Sequence, residues 1–125
     1  MTVLEPGDLL TSIRVPSTWA GSRLYYEKVR DRGSWDFPLV NIASAMVDSG
    51  GVIDQARVVV NGVAPYPVRL REVEDSLSGQ PISENLAETV GQIAIRRVEP
   101  LTHNGFKVSL MKNLVKRAVR GGALS

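Results

Sequence analysis

The hydrophobic positions change their period once along the chain. Over roughly the first sixty residues the apolar side chains come in short β-prone runs. Leu9, Leu10, Ile13 and Val15 lie between Pro6-Gly7-Asp8 and Pro16, a punctuation that predicts a short strand entering a sheet at its edge. Residues 17–22 read as a loop with Trp19 as its apolar anchor, and Leu24-Tyr25-Tyr26-Glu27-Lys28-Val29 as a strand rich in aromatic and β-branched types. Residues 30–36 form a polar loop. Two further runs, 39–47 and 53–60, are joined by Asp48-Ser49-Gly50-Gly51, which supplies two glycines for a turn and predicts an antiparallel hairpin. In the second run Ala56, Val58 and Val60 share one face while Arg57 and Val59 share the other, so only one face calls for deep burial.

After Gly62-Val63-Ala64-Pro65-Tyr66-Pro67 the spacing becomes helical. Leu70, Val73 and Leu77 repeat at i, i+3, i+7, with Gly79 placed to end the helix. Ser83 suits the N-cap of a second helix whose stripe is Leu86, Val90 and Ile93 and which runs to about Val98. From Phe106, the positions Val108, Met111, Val115 and Ala118 form one face, opposite Ser109, Lys112, Lys116 and Arg120, and Gly121-Gly122 closes this third helix. Strands followed by helices define an α+β fold: an antiparallel sheet of three to four strands packed against three helices on one face.

Composition narrows the chemistry more than the architecture. At 125 residues, 43% hydrophobic and 22% charged, the chain suits one ordinary globular core. The absence of cysteine excludes disulfides, thiolate zinc sites and cysteine-bound iron–sulfur clusters, and one histidine cannot build a multi-histidine metal site. A net charge of +2 is too small to argue for nucleic acid by itself. No run is long and apolar enough for a membrane span, and the start lacks a secretory signal pattern, so a cytoplasmic location is expected.

No complete catalytic constellation is present, and the Gly50-Gly51 and Gly121-Gly122 pairs fall in a hairpin turn and a tail rather than at a phosphate-binding strand-to-helix turn. The richest segment is residues 28–37. Lys28 and Arg32 and the Ser34 hydroxyl offer donors for anionic oxygens, Trp35 a flat apolar face, and Asp36 an acceptor for ring N–H groups, together the needs of a flavin ring. A second reading has Trp35 and Phe37 plugging the end of the sheet while Lys28, Arg32 and Asp36 form exposed ion pairs. His103 reads as a solvent-facing histidine. Glu72, Glu74 and Asp75, interleaved with Arg69 and Arg71, read as helix-surface ion pairs. The basic stripe Lys112, Lys116 and Arg120 reads as a solvated helix face, or else as the docking face of a stand-alone protein- or nucleic-acid-interaction module.

The order of these motifs resembles the C-terminal domain of the FAD-binding (medium) subunit of molybdenum hydroxylases, the group of carbon monoxide dehydrogenase and xanthine dehydrogenase. Residues 4–16 look like the last strand region of a preceding FAD-binding domain. Tyr26-Glu27-Lys28-Val29-Arg30-Asp31-Arg32-Gly33-Ser34-Trp35-Asp36-Phe37-Pro38-Leu39-Val40 resembles the entry into the C-terminal domain. Gly62-Val63-Ala64-Pro65, with Pro67-Val68-Arg69, Glu74, Leu77 and Gly79, is similar to the sheet-to-helix passage, and Phe106-Lys107, Leu114 and Lys116-Arg117-Ala118 to the closing helix. Val68 replaces a frequent aromatic, and Phe106-Lys107 a Tyr-Arg pair.

The resemblance implies residues 1–22 as the end of the preceding domain and a linker, 23–121 as the C-terminal domain, and 122–125 as a frayed tail. It also implies a part in a xanthine-dehydrogenase-like oxidoreductase that passes electrons from a molybdenum centre through iron–sulfur clusters to FAD. The partners implied are upstream FAD-binding domains, a large molybdopterin subunit and a small iron–sulfur subunit, with no membrane or nucleic acid. FAD is held mainly by the upstream domains and not tightly by this chain, which covers and tunes the flavin through Lys28, Arg32, Trp35 and Asp36. No catalytic residue or metal ligand is implied here.

Overall fold

The computed structural model describes residues 3–33 and 35–121. The hairpin forms as its glycines require: β2 (Val40–Ser49) turns into β3 (Val52–Asn61) through Gly50 and Gly51, both at positive φ, 60° and 83°. Two successive left-handed residues match the right-handed twist of the flanking strands and set their register. β1 (Arg23–Val29) lies antiparallel on the far side of β2, and a two-residue β4 (Val68–Arg69), not expected from the sequence, joins the outer edge of β3. The sheet order is β1-β2-β3-β4.

Three helices cover one face: α1 (Arg71–Leu77), α2 (Glu84–Ile95) and α3 (Phe106–Arg120). α1 packs on β3 and α3 on β2 and β1, while α2 packs against both of these helices. Val40, Ile42 and Met46 of β2 and Ala56, Val58 and Val60 of β3 meet Val73, Leu77, Met111, Leu114, Val115 and Ala118 in one core. Burial of such apolar surface is the main force holding the layers together. The α+β architecture therefore stands as expected, with four strands and three helices.

Several local expectations are corrected. Residues 9–15 are not a strand: they run outside the sheet with Leu9, Leu10, Ile13 and Val15 exposed, because β propensity yields a strand only where a neighbour pairs with its backbone. Residues 17–22 include a short 3-10 turn, Ser17–Trp19. α2 stops at Ile95 rather than Val98, since the N–H groups of Arg96 and Val98 donate to Ile93 and Ile95 in tight i to i+3 turns ahead of Pro100. Ser83 does cap α2, its hydroxyl accepting from Leu86 N–H at 3.1 Å. The buried stripe of α2 is Ala87, Val90, Gly91 and Ala94, with Leu86 and Ile93 only partly covered, because small residues let α2 lie close to its neighbours. α3 ends at Gly121, with φ 79°, as its glycine signal suggested, whereas the proposed tail 122–125 lies outside the described residues.

Among the described residues, the other face of the sheet carries no helix. Tyr26, Ala43 and Val59 form one cross-strand row on it, and Leu24, Ala45 and Arg57 the next. Leu24 and Tyr26 are exposed, and the Arg57 guanidinium lies 5.1 Å from the centre of the Trp19 ring, which anchors the segment before β1. The end row of this face is Lys28, Asn41 and Asn61, directly beside the loop that follows β1.

Candidate functional site

β1 delivers the chain to that loop, and the loop closes where Leu39 N–H donates to Val29 O at 2.8 Å. Between these points Arg32 N–H donates to Asp36 Oδ2 at 3.1 Å, and the Arg32 guanidinium lies 3.7 Å from Asp36 Oδ1. The Asp36 carboxylate thus ties back to Arg32 four positions earlier, a local role for which aspartate is suited. The aromatic residues on either side of Asp36 face outward: Trp35 is 100% exposed and Phe37 89%. Neither plugs the sheet end, so the purely structural reading of these two rings is overturned, although its Arg32–Asp36 ion pair is present.

Lys28, Arg30, Trp35, Asp36, Phe37 and Pro38 line an open groove of about 490 Å³. Three of the four residues singled out from the sequence, Lys28, Trp35 and Asp36, therefore share one concavity, and Arg32 stands behind Asp36. Two exposed aromatic faces beside cationic side chains offer a shelf for a flat, electron-poor ring with anionic oxygens on its edge. A phosphate cradle is a different matter. Among the described residues the paired positive-φ glycines lie in the β2–β3 turn, and the N-cap oxygen of α2 is already used by Leu86 N–H. The surface thus fits the ring of a flavin and not its pyrophosphate.

The other candidates resolve into structure. His103 is exposed in the turn before α3, and no cluster of three or more His, Asp or Glu side chains among the described residues is placed to hold a metal. Glu72 pairs on the surface with Arg97, beyond the end of α2, at 3.0 Å, while Glu74 does pair with Arg69 but is 5% exposed and faces the sheet, not the solvent. The basic stripe is also corrected. Lys112 Nζ lies 2.7 Å from Glu88 Oε1, Lys116 donates to the other oxygen of Glu88, and Arg120 Nε donates to Glu84 at 2.7 Å. These three cations zip α3 to α2 and are not a free basic stripe. Hydrogen bonds from Lys112 and Lys116 hold the Glu88 carboxyl down at about 2. Under the sheet edge, burial together with its hydrogen bond to Glu27 pushes Tyr25 up to about 12, and Arg117 of α3 pairs with the same Glu27.

The chain is thus an α+β domain, a four-stranded antiparallel sheet backed by three helices, with one aromatic and cationic loop at the end of the sheet. Residues 24–121 match the family model of the CO dehydrogenase flavoprotein C-terminal domain, and the chain belongs to that family. It is 32% identical to the aldehyde oxidoreductase FAD-binding subunit PaoB of Escherichia coli over 89% of this chain and 31% of that subunit. It is 28% identical to the carbon monoxide dehydrogenase medium chain of Hydrogenophaga pseudoflava over 95% of this chain and 42% of that one. A solved carbon monoxide dehydrogenase from Hydrogenophaga pseudoflava, lacking the Mo-pyranopterin moiety of its molybdenum cofactor, superposes with a TM-score of 0.85 at 29% identity, over 97% of this chain and 43% of that chain. The chain spans about a third to two-fifths of the length of these curated relatives. The resemblance read from the motif order is thereby established at the level of family and fold. Among the described residues no helix is long and apolar enough to cross a membrane.

Proposed function

We propose that this chain covers and tunes the flavin of an FAD-containing subunit in a molybdenum hydroxylase of the xanthine dehydrogenase kind. The observation that carries the reading is the groove in which Lys28, Trp35 and Asp36 meet, with Trp35 wholly exposed and waiting for a neighbour. FAD supplies the electron-accepting chemistry when bound. Trp35 and Phe37 cover one side of its ring and exclude water from it. Lys28 and Arg32 place positive charge nearby, which favours the negative charge that accompanies reduction and so raises the reduction potential. Asp36 holds Arg32 in place and offers its remaining lone pairs to ring N–H groups.

The partners follow from the same reading. Upstream FAD-binding domains grip the phosphates, a large subunit carries the molybdopterin, and a small subunit carries iron–sulfur clusters. The exposed apolar side chains Leu9, Leu10, Ile13 and Val15 suit a segment, within residues 1–22, that packs on such an upstream domain. A cytoplasmic location accords with this reading.

Two measurements test it. The 125-residue chain mixed with FAD shows weak binding or none, because its groove fits only the ring. In the flavoprotein assembly that holds FAD, Trp35→Ala and Asp36→Asn alter the visible flavin spectrum, and Lys28→Gln lowers the flavin potential by about 20 mV, the two-electron equivalent of about 1 kcal/mol. A spectrum, affinity and potential unchanged in all three variants contradict the reading.

A further inference from the structure

The exposed loop has a second support that its own residues do not reveal. Its returning limb, Pro38 and Leu39, lies against the turn that follows β3. At the head of that turn stands Gly62, with φ 80°, where a Cβ atom would come within 2.8 Å of Leu39 O and 3.3 Å of Pro38 O. Real side chains do not tolerate such an approach to backbone, so a residue other than glycine at this position displaces the limb or the turn. The left-handed conformation makes the same demand independently.

The turn is in turn clamped from two sides. Gly62 N–H donates to Asn61 Oδ1 at 2.8 Å, and Gly62 O accepts from Lys107 Nζ at 2.6 Å across 45 residues of sequence. Lys107 lies in the first turn of α3 and is partly buried, and no carboxylate among the described residues lies within salt-bridge distance of it. Its charge is directed at one carbonyl, a charge-assisted bond that is shorter and stronger than a neutral one. Two motifs that stand far apart in the sequence, Gly62-Val63-Ala64-Pro65 and Phe106-Lys107, thus meet in a single contact beneath the loop.

We propose that Gly62 and Lys107 are positioning residues for the groove: α3 grips the turn, the turn buttresses Pro38 and Leu39, and these fix where Trp35 and Phe37 are presented. Neither residue lines the groove. The linkage from Lys107 to the loop stands on the contacts alone, and its consequence for a flavin rests on the function proposed above.

The test uses the 125-residue chain, isotopically labelled, with Lys107→Met, Lys107→Arg and Gly62→Ala. In Lys107→Met the backbone amide signals of Trp35, Asp36, Phe37 and Leu39 shift more than those of Val90 and Ala94 in α2, and the Leu39 amide exchanges with solvent at least tenfold faster. Lys107→Arg, which keeps the charge and the donor, restores both. Gly62→Ala reproduces the Lys107→Met pattern where it folds; where it does not, the Met and Arg pair decides. Loop amides that stay in place in folded Lys107→Met overturn the proposal. In the FAD-holding assembly the flavin absorption band of Lys107→Met moves in the direction seen for Trp35→Ala. A loop that moves while the band stays leaves the positioning role intact and contradicts the flavin reading instead.

Discussion

The carboxylate of Glu74 accepts the backbone N–H of Val58 at 2.9 Å, so that a side chain from α1 completes the hydrogen bonding of a strand edge. β4 is only two residues long, and just beyond it Leu70 N–H donates to Val58 O at 2.9 Å. Glu74 takes the next place in the ladder. Arg69 Nε and Nη2 donate to it at 2.9 and 2.6 Å, and Arg57 lies 3.5 Å away. Burial alone would push this carboxyl up, but the Arg69 and Val58 hydrogen bonds and the two guanidinium charges outweigh it and hold it below its ordinary value. Removing one partner of such a group leaves the others uncompensated. Glu74→Ala is expected to cost about 3–5 kcal/mol, and Glu74→Gln, which keeps one acceptor, about 1–3 kcal/mol. Urea denaturation midpoints of the two variants check the order.

Acid should loosen the helix layer in a defined window. Glu74 and Glu88 both have folded-state values below the ordinary 4.5, Glu88 at about 2, so their contribution is fully present above about pH 4.5 and is lost as pH falls toward 2. Glu88→Gln removes its share, so the variant's melting temperature falls less steeply between pH 5 and pH 2 than that of the parent. Equal slopes would show that the Lys112 and Lys116 pairs carry no pH-dependent stability.

Ser44 is a polar residue in the core of β2, with a hydroxyl that finds no partner among the described residues. Ser44→Ala is therefore expected to be neutral or to stabilise by up to about 1 kcal/mol, unlike any apolar truncation nearby. Ile42→Ala, in the same strand, is expected to lose about 2–5 kcal/mol. Thermal unfolding of both variants measures the contrast.

Gly91 is the point where α2 lets the lysine stems of α3 pass. A Cβ there would stand 2.8 Å from Lys116 Cγ and 3.3 Å from Lys112 Cγ. An alanine would ordinarily favour a helix by about 1 kcal/mol over glycine. Here the crowding offsets that gain, and Gly91→Ala is expected to destabilise by about 1 kcal/mol while weakening both pairs to Glu88. Denaturant unfolding gives the first quantity, and an upward shift of the Glu88 titration gives the second.

The parts of the molecule legible in the sequence are those set by local periodicity. Gly50-Gly51 between two β-prone runs placed the hairpin, and Ser83 and Gly121 marked helix ends. What stayed hidden depends on what an element faces. Lys112, Lys116 and Arg120 look like a solvated stripe because a helix pattern shows which positions are polar and not that Glu88 and Glu84 of α2 oppose them. Glu74 looks like surface charge because its partner at Val58 is a backbone group, which no residue type announces. Residues 9–15 have the composition of a strand, yet a strand needs a neighbouring backbone. At the loop, residue chemistry singled out Lys28, Trp35 and Asp36, which share one groove in the fold, whereas the Lys107 contact with Gly62 is purely tertiary.

Trp35 is proposed to lie against the flavin ring, and its emission reads that contact directly. In the FAD-holding assembly, the fluorescence difference between the parent and Trp35→Phe isolates this side chain from Trp19 and from any tryptophan of a partner. The difference is expected to be close to zero with FAD present, because a stacked flavin quenches the indole, and to appear in full once FAD is removed. A Trp35 emission of the same strength in both states would contradict the proposed contact.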